Sequence, residues 1–521
     1  MNLNFVNVFV VLFMLLSSFG CSQSKKVATL SDEAYLNKVH GEWLGKCIGG
    51  ALGMPLEGWN KDEIARKYGT ITGYIGYFNE RINSSSKILT DVNYDTDGQW
   101  HVVNIKLNVP DYNVKELHAV PVIWIIGENI DTNMCELRNL KVSKAYKIPD
   151  FNPIYWRGWA VDKISDKGVV YFKFPKVYNS FSWIKMLDDV TSRVCLKPGE
   201  EFEISLEARY ISGTGKIGLS LDYIDNKPHA GFGPDDDTYW QLVFLTSLEK
   251  NGPDISCRQI GKTWVEVCCP NGWGKRDEPY LAEDLALKNM VEGIYPPESG
   301  KHAHSDAIGG QMKGEICGLI CPGLPKLAAE YARRDGVVAH ACEGVYGEQY
   351  IAAMISASFF ENDIETLMKT AIQQIPQNSK YASCVQKAID CYHKYPNYED
   401  AFNEMLGIKE TSQTFEYFAD AAIVNLSLLY GKGDFEKSLL IAVIYGHDTD
   451  CDCASVGAMI GCIIGADAIP SKWKDPIGDT FYCWMKDFDN IKISDLAARI
   501  CKSGKACMKY HENGMRFTSK L

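Results

Sequence analysis

The sequence lacks a basic cluster and the common nucleophile and nucleotide motifs. Its formal net charge is −12 over 521 residues, and nucleic-acid phosphates require a basic face, so nucleic acid is not expected as a partner. There is no Gly-x-Ser-x-Gly motif and no convincing Gly-x-Gly-x-x-Gly motif at a strand–helix turn. These absences argue against a serine-hydrolase elbow and against an NAD cofactor.

The first apolar run, Phe5 to Leu16, is too short to span a bilayer, and its length is typical of a signal-peptide core. Ser17-Ser18-Phe19-Gly20 and then Cys21 follow it, and a small residue directly before a lone Cys resembles a bacterial lipoprotein cleavage site. We expect residues 1–21 to be a signal peptide and Cys21 to be lipidated. The protein would then be lipid-anchored in the bacterial cell envelope, either periplasmic or at the cell surface. Simple secretion is the alternative.

The 18 cysteines form no regular framework. Disulfide-rich secreted domains have even and regular spacings, whereas these residues are scattered. Neither Cys451-x-Cys453 nor Cys268-Cys269 has the spacing of a structural zinc site. Most of the cysteines are therefore predicted to be buried thiols.

Three segments with different hydrophobic patterns follow one another along the chain. Residues 30–78 look helical, with a glycine-rich break predicted after Lys46. Residues 79–228 alternate apolar and polar side chains, as antiparallel strands with one buried face do. The alternating residues are Val103, Ile105, Leu107 and Val109, then Phe202, Ile204, Leu206 and Ala208, then Ile217, Leu219, Leu221 and Tyr223. Residues 229–521 look helical again, which predicts an all-α domain interrupted by a β-sandwich insertion similar to jelly-roll carbohydrate-binding modules.

Amphipathic patterns place several helices in the second helical part. The predicted helices are Tyr239 to Lys250, Leu324 to Arg334, Glu348 to Phe359, Ile364 to Ile372, Ala421 to Tyr430, Phe435 to Tyr445 and Ala454 to Ala466. The last of them carries small residues spaced three or four apart, which allow another backbone to approach closely. It is therefore predicted to be a buried central helix.

The first acidic cluster is Asp235-Asp236-Asp237, immediately before a predicted helix. One Asp is enough to cap a helix, and three adjacent carboxylates repel one another unless solvent or cations relieve the repulsion. Capping and cation binding both remain open from this cluster alone.

The second acidic cluster, Asp448-Thr449-Asp450-Cys451-Asp452, leads into the predicted central helix. No Lys or Arg lies between Lys437 and Lys472, so local ion pairs cannot neutralise it; distant basic side chains or a divalent cation could. Carboxylate-rich sites favour Mg²⁺, Mn²⁺ or Ca²⁺ over zinc, and the spacing is not that of an EF-hand.

Together with the run from Gly45 to Glu57, the two clusters resemble the ADP-ribosylglycohydrolase family. In that family a glycine-rich segment with a Glu comes first, an Asp-Asp-Thr motif second and an Asp-Thr-Asp motif third. The resemblance covers residues 30–78 and 229–490 and leaves the β insertion outside. It implies an all-α ADP-ribosylglycohydrolase-like catalytic domain, made of residues 30–78 plus 229–521, and a glycosidase with two divalent cations, Mg²⁺ or Mn²⁺.

The resemblance also implies roles for individual residues. The metal ligands would be Asp235, Asp236, Asp237, Asp448 and Asp450, and Glu57 would match the family's mobile active-site Glu. Cys451 stands where many members have a liganding Thr, and Asp452 could substitute for it. Gly50 stands where the family usually has an Asp, which we interpret as a structural difference.

A further stretch, Ser305 to Lys313, lies where the family has a glycine-rich loop for the ADP-ribose phosphates and distal ribose. The substrate-binding residues would be Ser305, Asp306, Gly309, Gly310 and His340. A satisfied core histidine is the alternative for His340. Ile308-Gly309 replaces the usual Asn-Gly, and Lys313 stands where the family has Arg. Because both departures lie in the expected substrate loop, they bear on which substrate binds more than on the metal site.

The implied function is divalent-metal-dependent hydrolysis of a ribosyl glycosidic bond, in an ADP-ribosylated or related ribosyl or glycosyl substrate. The alternative is a non-catalytic sugar- or ribosyl-binding surface lipoprotein, which would not need both acidic clusters and Glu57. A two-metal phosphoesterase is a third possibility. In the insertion, Trp156, Trp159 and Trp183 could stack on glycan rings or belong to a sandwich core.

Overall fold

The computed structural model describes the helical parts of the chain and the strands between them. The described residues are 29–74, 97–109, 194–197, 199–200, 232, 235–268, 281–406, 417–483, 485, 487–511 and 516–518, with the remaining strands between residues 82 and 224. The predicted signal peptide and Cys21 lie outside these residues.

Helices make up most of the described chain, which confirms the predicted helical character of its two outer parts. The α-helices are Asp32–Gly53, Lys61–Tyr68, Asp236–Asn251, Cys257–Cys268, Leu281–Val291, Glu315–Leu319, Pro325–Gly336, Glu343–Ser358, Ile364–Ile372, Lys380–Lys394, Tyr398–Leu406, Tyr417–Gly431, Phe435–Val443, Thr449–Ile464, Ser471–Ile477 and Ile493–Tyr510. Short 3₁₀ helices are Met54–Leu56, Ile308–Lys313 and Ala466–Ala468. Each of the seven predicted helices has an observed counterpart, and most helix ends lie within a few residues of the predicted ones.

The predicted break after Lys46 is wrong, because the helix Asp32–Gly53 continues through the glycine run. We call it the N-terminal helix, and Thr449–Ile464 the central helix. Glycine disfavours an isolated helix because it loses the most backbone freedom on folding. Here a second helix packs directly on the glycines, and this tertiary contact outweighs the local preference.

The N-terminal and central helices run antiparallel with their backbones in contact. A Cβ atom added to the N-terminal helix at any of four glycines would lie 1.9 to 2.3 Å from a carbonyl oxygen of the central helix. These glycines are Gly41, Gly45, Gly49 and Gly53, which face Gly461, Gly457, Cys453 and Thr449 respectively. Thr449 Oγ1 also donates a hydrogen bond to the Gly53 carbonyl oxygen at 2.9 Å. The prediction of a buried central helix is confirmed, and its partner is the N-terminal helix.

The strands between residues 82 and 224 form two antiparallel sheets. One contains Ile82–Ser84, Thr90–Tyr94, Leu117–Glu128, Trp156–Gly158, Phe181–Met186, Val194–Leu196 and Thr214–Ile224; the other contains His101–Asn108, Met134–Val142, Val161–Ile164, Val170–Lys173 and Glu201–Tyr210. Elsewhere, Thr29–Ser31 pairs in parallel with Arg516–Thr518, and Thr480–Phe481 pairs with Ile491–Lys492.

The alternation of apolar and polar residues in the sequence matches which of the described side chains are buried. In the pairing of His101–Asn108 with Glu201–Tyr210, Ile105 lies opposite Ile204, and both are fully buried. Ile217 and Leu219 are buried as well, in the sheet where Ile217 pairs with Ile125. For these described side chains, the apolar face is therefore the one that period-two alternation predicts, whereas the side chains of Leu221 and Tyr223 lie outside the described residues.

Two further features of the described residues are the state of their cysteines and the apolar character of their helices. Most of the described cysteines are buried, and all of them are free thiols, as predicted. No helix among the described residues combines the length and apolar character needed to cross a membrane.

The backbone contact predicts a large stability difference between two glycine-to-alanine variants. In Gly45→Ala the new Cβ would lie 2.0 Å from the Gly457 carbonyl oxygen, so the helices must separate. We expect a loss of about 1–3 kcal/mol in the free energy of unfolding, typical of overpacking. The matched control is Gly73→Ala, where the nearest atom is the tip of Lys472 at 3.8 Å.

Chemical denaturation of both variants checks this prediction. Gly73→Ala should stay within about 0.5 kcal/mol of the unchanged protein, as surface substitutions usually do. Equal stability of the two variants would contradict the close helix packing.

Candidate functional site

The first acidic cluster occupies the start of the helix Asp236–Asn251. Asp235 is the N-cap, and its side chain accepts a hydrogen bond from the Asp237 amide at 3.0 Å. This one carboxylate satisfies the capping requirement, so Asp236 and Asp237 are available for another role. Asp237 is fully buried, and neither of its carboxylate oxygens has a hydrogen-bond partner within the described part of the chain.

The second acidic cluster occupies the start of the central helix. Asp448 is its N-cap residue, with Asp450 and Asp452 in its first turn. Asp450 Oδ1 accepts a hydrogen bond from the Cys451 amide at 2.9 Å. Asp452 is fully buried, and both of its oxygens lack a hydrogen-bond partner among the residues the structure covers. Like Asp237, it is a buried carboxylate whose charge requires compensation.

The two clusters converge, although they are far apart in sequence. Burial raises the pKa of Asp236, and the charges of Asp237, Asp235 and Asp450 raise it further. Burial likewise raises the pKa of Asp237, with further increases from Asp235 and Asp450. The carboxylates of one cluster thus repel those of the other, and a shared positive charge between them would relieve the repulsion.

Lys46 is a basic group close enough to the first cluster for its charge to act on Asp237. Its fully buried ammonium donates to the Met312 carbonyl oxygen at 2.9 Å and to Glu315 Oε1 at 3.2 Å. Burial alone would lower the pKa of Lys46, but Glu315, Asp237 and Glu42 hold it above its usual value. Lys46, which is distant from both clusters in sequence, therefore neutralises part of their negative charge, which no neighbouring residue in the sequence does. Because it is already paired with Glu315, it leaves the acidic clusters with excess negative charge.

Glu57 lies beside the second cluster. It follows the short helix Met54–Leu56, and its loop is attached to the residues just before the central helix by two backbone hydrogen bonds. Gly58 N donates to the His447 carbonyl oxygen at 2.8 Å, and His447 N donates to the Trp59 carbonyl oxygen at 2.7 Å. Burial raises the pKa of Asp448, and Asp450, Asp420 and Glu57 add to the increase. Glu57 is exposed, so it stands at the mouth of the acidic centre.

The predicted substrate loop packs tightly through its glycines. A Cβ on Gly309 would lie 2.3 Å from Glu283 Oε1, and one on Gly310 would lie 2.2 Å from the Gly344 carbonyl oxygen. The Ser305 carbonyl oxygen accepts a hydrogen bond from the Ala341 amide at 2.9 Å. Asp306 is exposed, whereas the following residues Ile308–Lys313 are buried. These close contacts leave no room for side chains larger than glycine at positions 309 and 310.

His340 is fully buried, and its Nε2 lies 3.0 Å from Glu283 Oε1. Burial would raise the pKa of Glu283, but the hydrogen bond and charge of His340 lower it below its usual value. The charge of Glu283 in turn contributes to the raised pKa of Asp236. The pairing satisfies Nε2, whereas the buried Nδ1 has no hydrogen-bond partner among the described residues, so the alternative of a satisfied core histidine holds for one ring nitrogen only. Substrate contact by His340 stays a prediction.

Lys313, which stands where the family has Arg, is fully buried. Its ammonium lies 2.8 Å from Asp335 Oδ2 and 2.9 Å from Glu348 Oε2. These ion pairs attach the end of the loop to two neighbouring helices. Lys313 therefore anchors the loop and does not extend towards solvent.

Several residues around the centre were not predicted from the sequence. Asp420 lies in the mainly apolar helix Tyr417–Gly431, and an isolated buried Asp there was the available signal. Glu283 and Glu315 act on the centre from two other helices, where each stands in the first turn and looks like an ordinary helix-start residue. Gly50 faces Asp235, since a Cβ there would lie 3.1 Å from Asp235 Oδ2 and 2.9 Å from the Phe232 ring. That close packing explains why a larger side chain is absent at position 50.

The donor set fits hard divalent cations. Ligand atoms of Asp448, Asp450 and Cys451 lie within 4.8 Å of one another. The other acidic cluster adds the two carboxylate oxygens of Asp237, which accept no hydrogen bond from any described residue. Carboxylate oxygens suit Mg²⁺ and Mn²⁺, whereas Cys451 is a poor ligand for Mg²⁺; its Sγ lies 3.8 Å from Met312 Sδ.

Two known proteins are similar to parts of this chain. A protein of Archaeoglobus fulgidus described as uncharacterized is 24% identical over 197 residues, which are 37% of this chain and 60% of that relative. The chain thus spans less than two thirds of the relative's length. A solved structure of an ADP-ribosylglycohydrolase-related protein complex is 18% identical and covers 53% of this chain and 83% of its own, with a TM-score of 0.39.

The family comparison is more extensive. The model of the ADP-ribosylglycohydrolase family matches residues 31–103 and 201–506. These ranges contain Glu57, both acidic clusters, the substrate loop and His340. Because the match covers more than half of the chain, this protein belongs to the ADP-ribosylglycohydrolase family.

Proposed function

We propose that the protein is a divalent-metal-dependent hydrolase that cleaves a ribosyl glycosidic bond in an ADP-ribosylated or related substrate. Membership of the family indicates glycosyl hydrolase activity, and the family is typically metal-dependent. The observation that carries the metal proposal is the buried carboxylate of Asp237, beside the second acidic cluster: its oxygens accept no hydrogen bond from a described nitrogen or oxygen, and the neighbouring donor is the weak thiol of Cys451. A cation shared by the clusters would relieve that cost.

Two cations, Mg²⁺ or Mn²⁺, would be held by five carboxylates drawn from both helix N-termini. The proposed ligands are Asp235, Asp236, Asp237, Asp448 and Asp450. Both helices direct the positive ends of their dipoles towards these carboxylates, which favours their ionised form. Lys46 supplies additional positive charge next to Asp237.

The chemistry proposed for the site is water attack at an anomeric carbon. When bound, the cations would orient the ribosyl diol and increase the acidity of water. Glu57 would accept a proton from the attacking water as its oxygen bonds to that carbon. The bond to the leaving group breaks at the same carbon through an oxocarbenium-like state, and the leaving group takes the electron pair and then a proton.

The loop Ser305–Lys313 is proposed to bind the ADP-ribosyl part of the substrate. Ser305, Asp306, Gly309, Gly310 and His340 would contact it. The loop is preorganised by Glu283 and by the buried ion pairs of Lys313, and a preorganised loop loses less entropy on binding.

We further propose that residues 79–228 form a β-sandwich inserted into a helical domain of residues 30–78 plus 229–521. In support, these residues contain two antiparallel sheets with buried apolar faces, and the family match omits residues 104–200. Glycan binding by Trp156, Trp159 and Trp183 remains part of this proposal. The side chains of these tryptophans lie outside the described residues.

We propose that the mature protein is lipid-anchored through Cys21 in the bacterial cell envelope, periplasmic or at the cell surface. The support is the apolar run before Cys21 in the sequence. An envelope enzyme would meet extracytoplasmic ribosyl compounds, which widens the substrate class beyond ADP-ribosylated cytoplasmic proteins.

The hydrolase proposal predicts metal-dependent cleavage that needs Glu57. We expect release of ADP-ribose or ribose from ADP-ribosyl-arginine, ADP-ribosyl-serine or a simple nucleoside in Mg²⁺, and none in EDTA. Glu57→Gln should lower kcat by about 10²–10⁴, the range for loss of a general base. The control is Glu292→Gln, an exposed glutamate in the turn after the helix Leu281–Val291. Full activity of Glu57→Gln, or activity that survives EDTA, would contradict the proposal.

The metal proposal predicts that Asp237→Asn changes the stability of the protein differently in EDTA and in Mn²⁺. In EDTA the variant should be at least as stable as the unchanged protein, because a repelled buried carboxylate is removed. Mn²⁺ at about one hundred times its Kd should stabilise the unchanged protein by about 2.7 kcal/mol for each ion bound at the hydrolase centre, and the variant should lose that part of the stabilisation. Thermal unfolding measures both quantities.

The matched control for Asp237→Asn is Asp62→Asn. Asp62 is also the second residue of its helix but is exposed. It should respond to Mn²⁺ like the unchanged protein. Equal Mn²⁺ stabilisation of Asp237→Asn and Asp62→Asn would rule out Asp237 as a ligand.

The anchoring proposal predicts that Cys21→Ser abolishes incorporation of labelled palmitate in a bacterial host and moves the protein from the membrane fraction to the soluble fraction. Cys342→Ser, at an exposed free cysteine, serves as the control and should retain the label. Absence of label in the unchanged protein would instead support simple secretion.

A further inference from the structure

A second group of potential ligands lies beside the proposed metal pair. Asp420, His447 and Asp452 each direct one potential ligand atom into a region where these atoms are within 4.8 Å of one another. His447 Nδ1 lies 2.7 Å from Asp420 Oδ1. The three residues come from the helix Tyr417–Gly431, the turn before the central helix, and the first turn of the central helix.

The two carboxylates of this group are buried and incompletely satisfied. Asp420 and Asp452 are both 0% exposed. Asp420 Oδ2 and both oxygens of Asp452 have no hydrogen-bond partner among the residues that the structure describes. An ionised carboxylate at that depth is costly unless a cation or hydrogen-bond donors compensate it.

The charges around Asp452 do not supply that compensation. Burial raises the pKa of Asp452, and the neighbouring charges that raise it further are those of Asp420, Asp450 and Asp237. Lys46 is already paired with Glu315. Within the cluster itself, the one nitrogen-bearing side chain is the imidazole of His447, which lies against Asp420.

His447 is held in place at the expense of backbone strain. Its φ is 74°, in the left-handed region that residues other than glycine rarely adopt. Hydrogen bonds with Gly58 N and the Trp59 carbonyl oxygen keep it there. Strain of this kind persists where the surrounding structure requires one particular side-chain position, often at a binding site.

We propose that Asp420, His447 and Asp452 bind a further divalent transition-metal ion, separate from the pair of cations assigned to the hydrolase centre. An imidazole nitrogen with carboxylate oxygens suits Mn²⁺, Fe²⁺ or Zn²⁺ better than Mg²⁺. The ion would link the helix Tyr417–Gly431 to the start of the central helix. Through His447 it would also fix the loop that carries Glu57. The binding does not depend on the proposed hydrolysis.

The first test is the anomalous scattering of crystals of the full chain grown with Mn²⁺. We expect a peak at coordination distance from Asp420, His447 and Asp452, in addition to peaks at the first cluster and Asp448. Peaks at the hydrolase centre without one at this group would overturn the inference and leave the proposed function intact. In that case Asp452 is a protonated carboxyl group beside a hydrogen-bonded Asp–His pair.

The second test is Mn²⁺ stoichiometry by equilibrium dialysis and metal analysis. His447→Gln should bind one equivalent fewer than the unchanged protein. The matched control is His393→Gln, an exposed histidine whose Nε2 lies 3.0 Å from Glu365 Oε2, and it should bind the full number. Equal stoichiometry of both variants with the unchanged protein would refute the site.

Two further variants separate this inference from the proposed function. Asp420→Asn should lose the same single equivalent as His447→Gln, whereas Asp237→Asn should lose ions of the hydrolase centre and keep this one. If Asp420→Asn does not fold, as judged by circular dichroism, His447→Gln and the crystal decide. An unchanged protein that binds this equivalent but hydrolyses none of the substrates would count against the proposed function alone.

Discussion

The glycine contact between the N-terminal and central helices determines where the candidate site forms. Because four glycines of the N-terminal helix lie against backbone carbonyl groups of the central helix, the end of one helix meets the beginning of the other. The hydrogen bond from Thr449 to Gly53 marks that meeting point. Glu57 follows directly after the first helix, and the second acidic cluster begins the other. Wider spacing of the helices would separate these groups.

Negative charge is the main energetic difficulty of this arrangement. Asp237 and Asp452 are fully buried with unsatisfied oxygens, and the neighbouring carboxylates raise the pKa of each. Lys46 compensates part of the charge but is shared with Glu315. Cation binding and folding are therefore expected to be coupled, since the ions would stabilise a region whose own side chains repel one another. The same reasoning links the proposed additional ion to the position of His447.

Features that depend on residues close together in the sequence could be predicted from the sequence alone. Acidic runs before helices, the small residues of the central helix and the alternation of Ile105 or Ile204 are local patterns, and each agrees with the structure. The glycine run after Lys46 was misread, because its helical partner lies hundreds of positions later and local propensity favours a break. The roles of Asp420, Glu283 and Lys313 were not predictable, since each depends on tertiary neighbours.

The central claim is that the two acidic clusters share their cations. A double-mutant cycle tests it directly, with Mn²⁺ affinity measured by isothermal titration calorimetry for Asp237→Asn, Asp448→Asn and the double variant. If both side chains bind the same ions, the double variant should lose far less binding free energy than the sum of the single losses. Strictly additive losses, or unchanged affinity in either single variant, would contradict the shared centre.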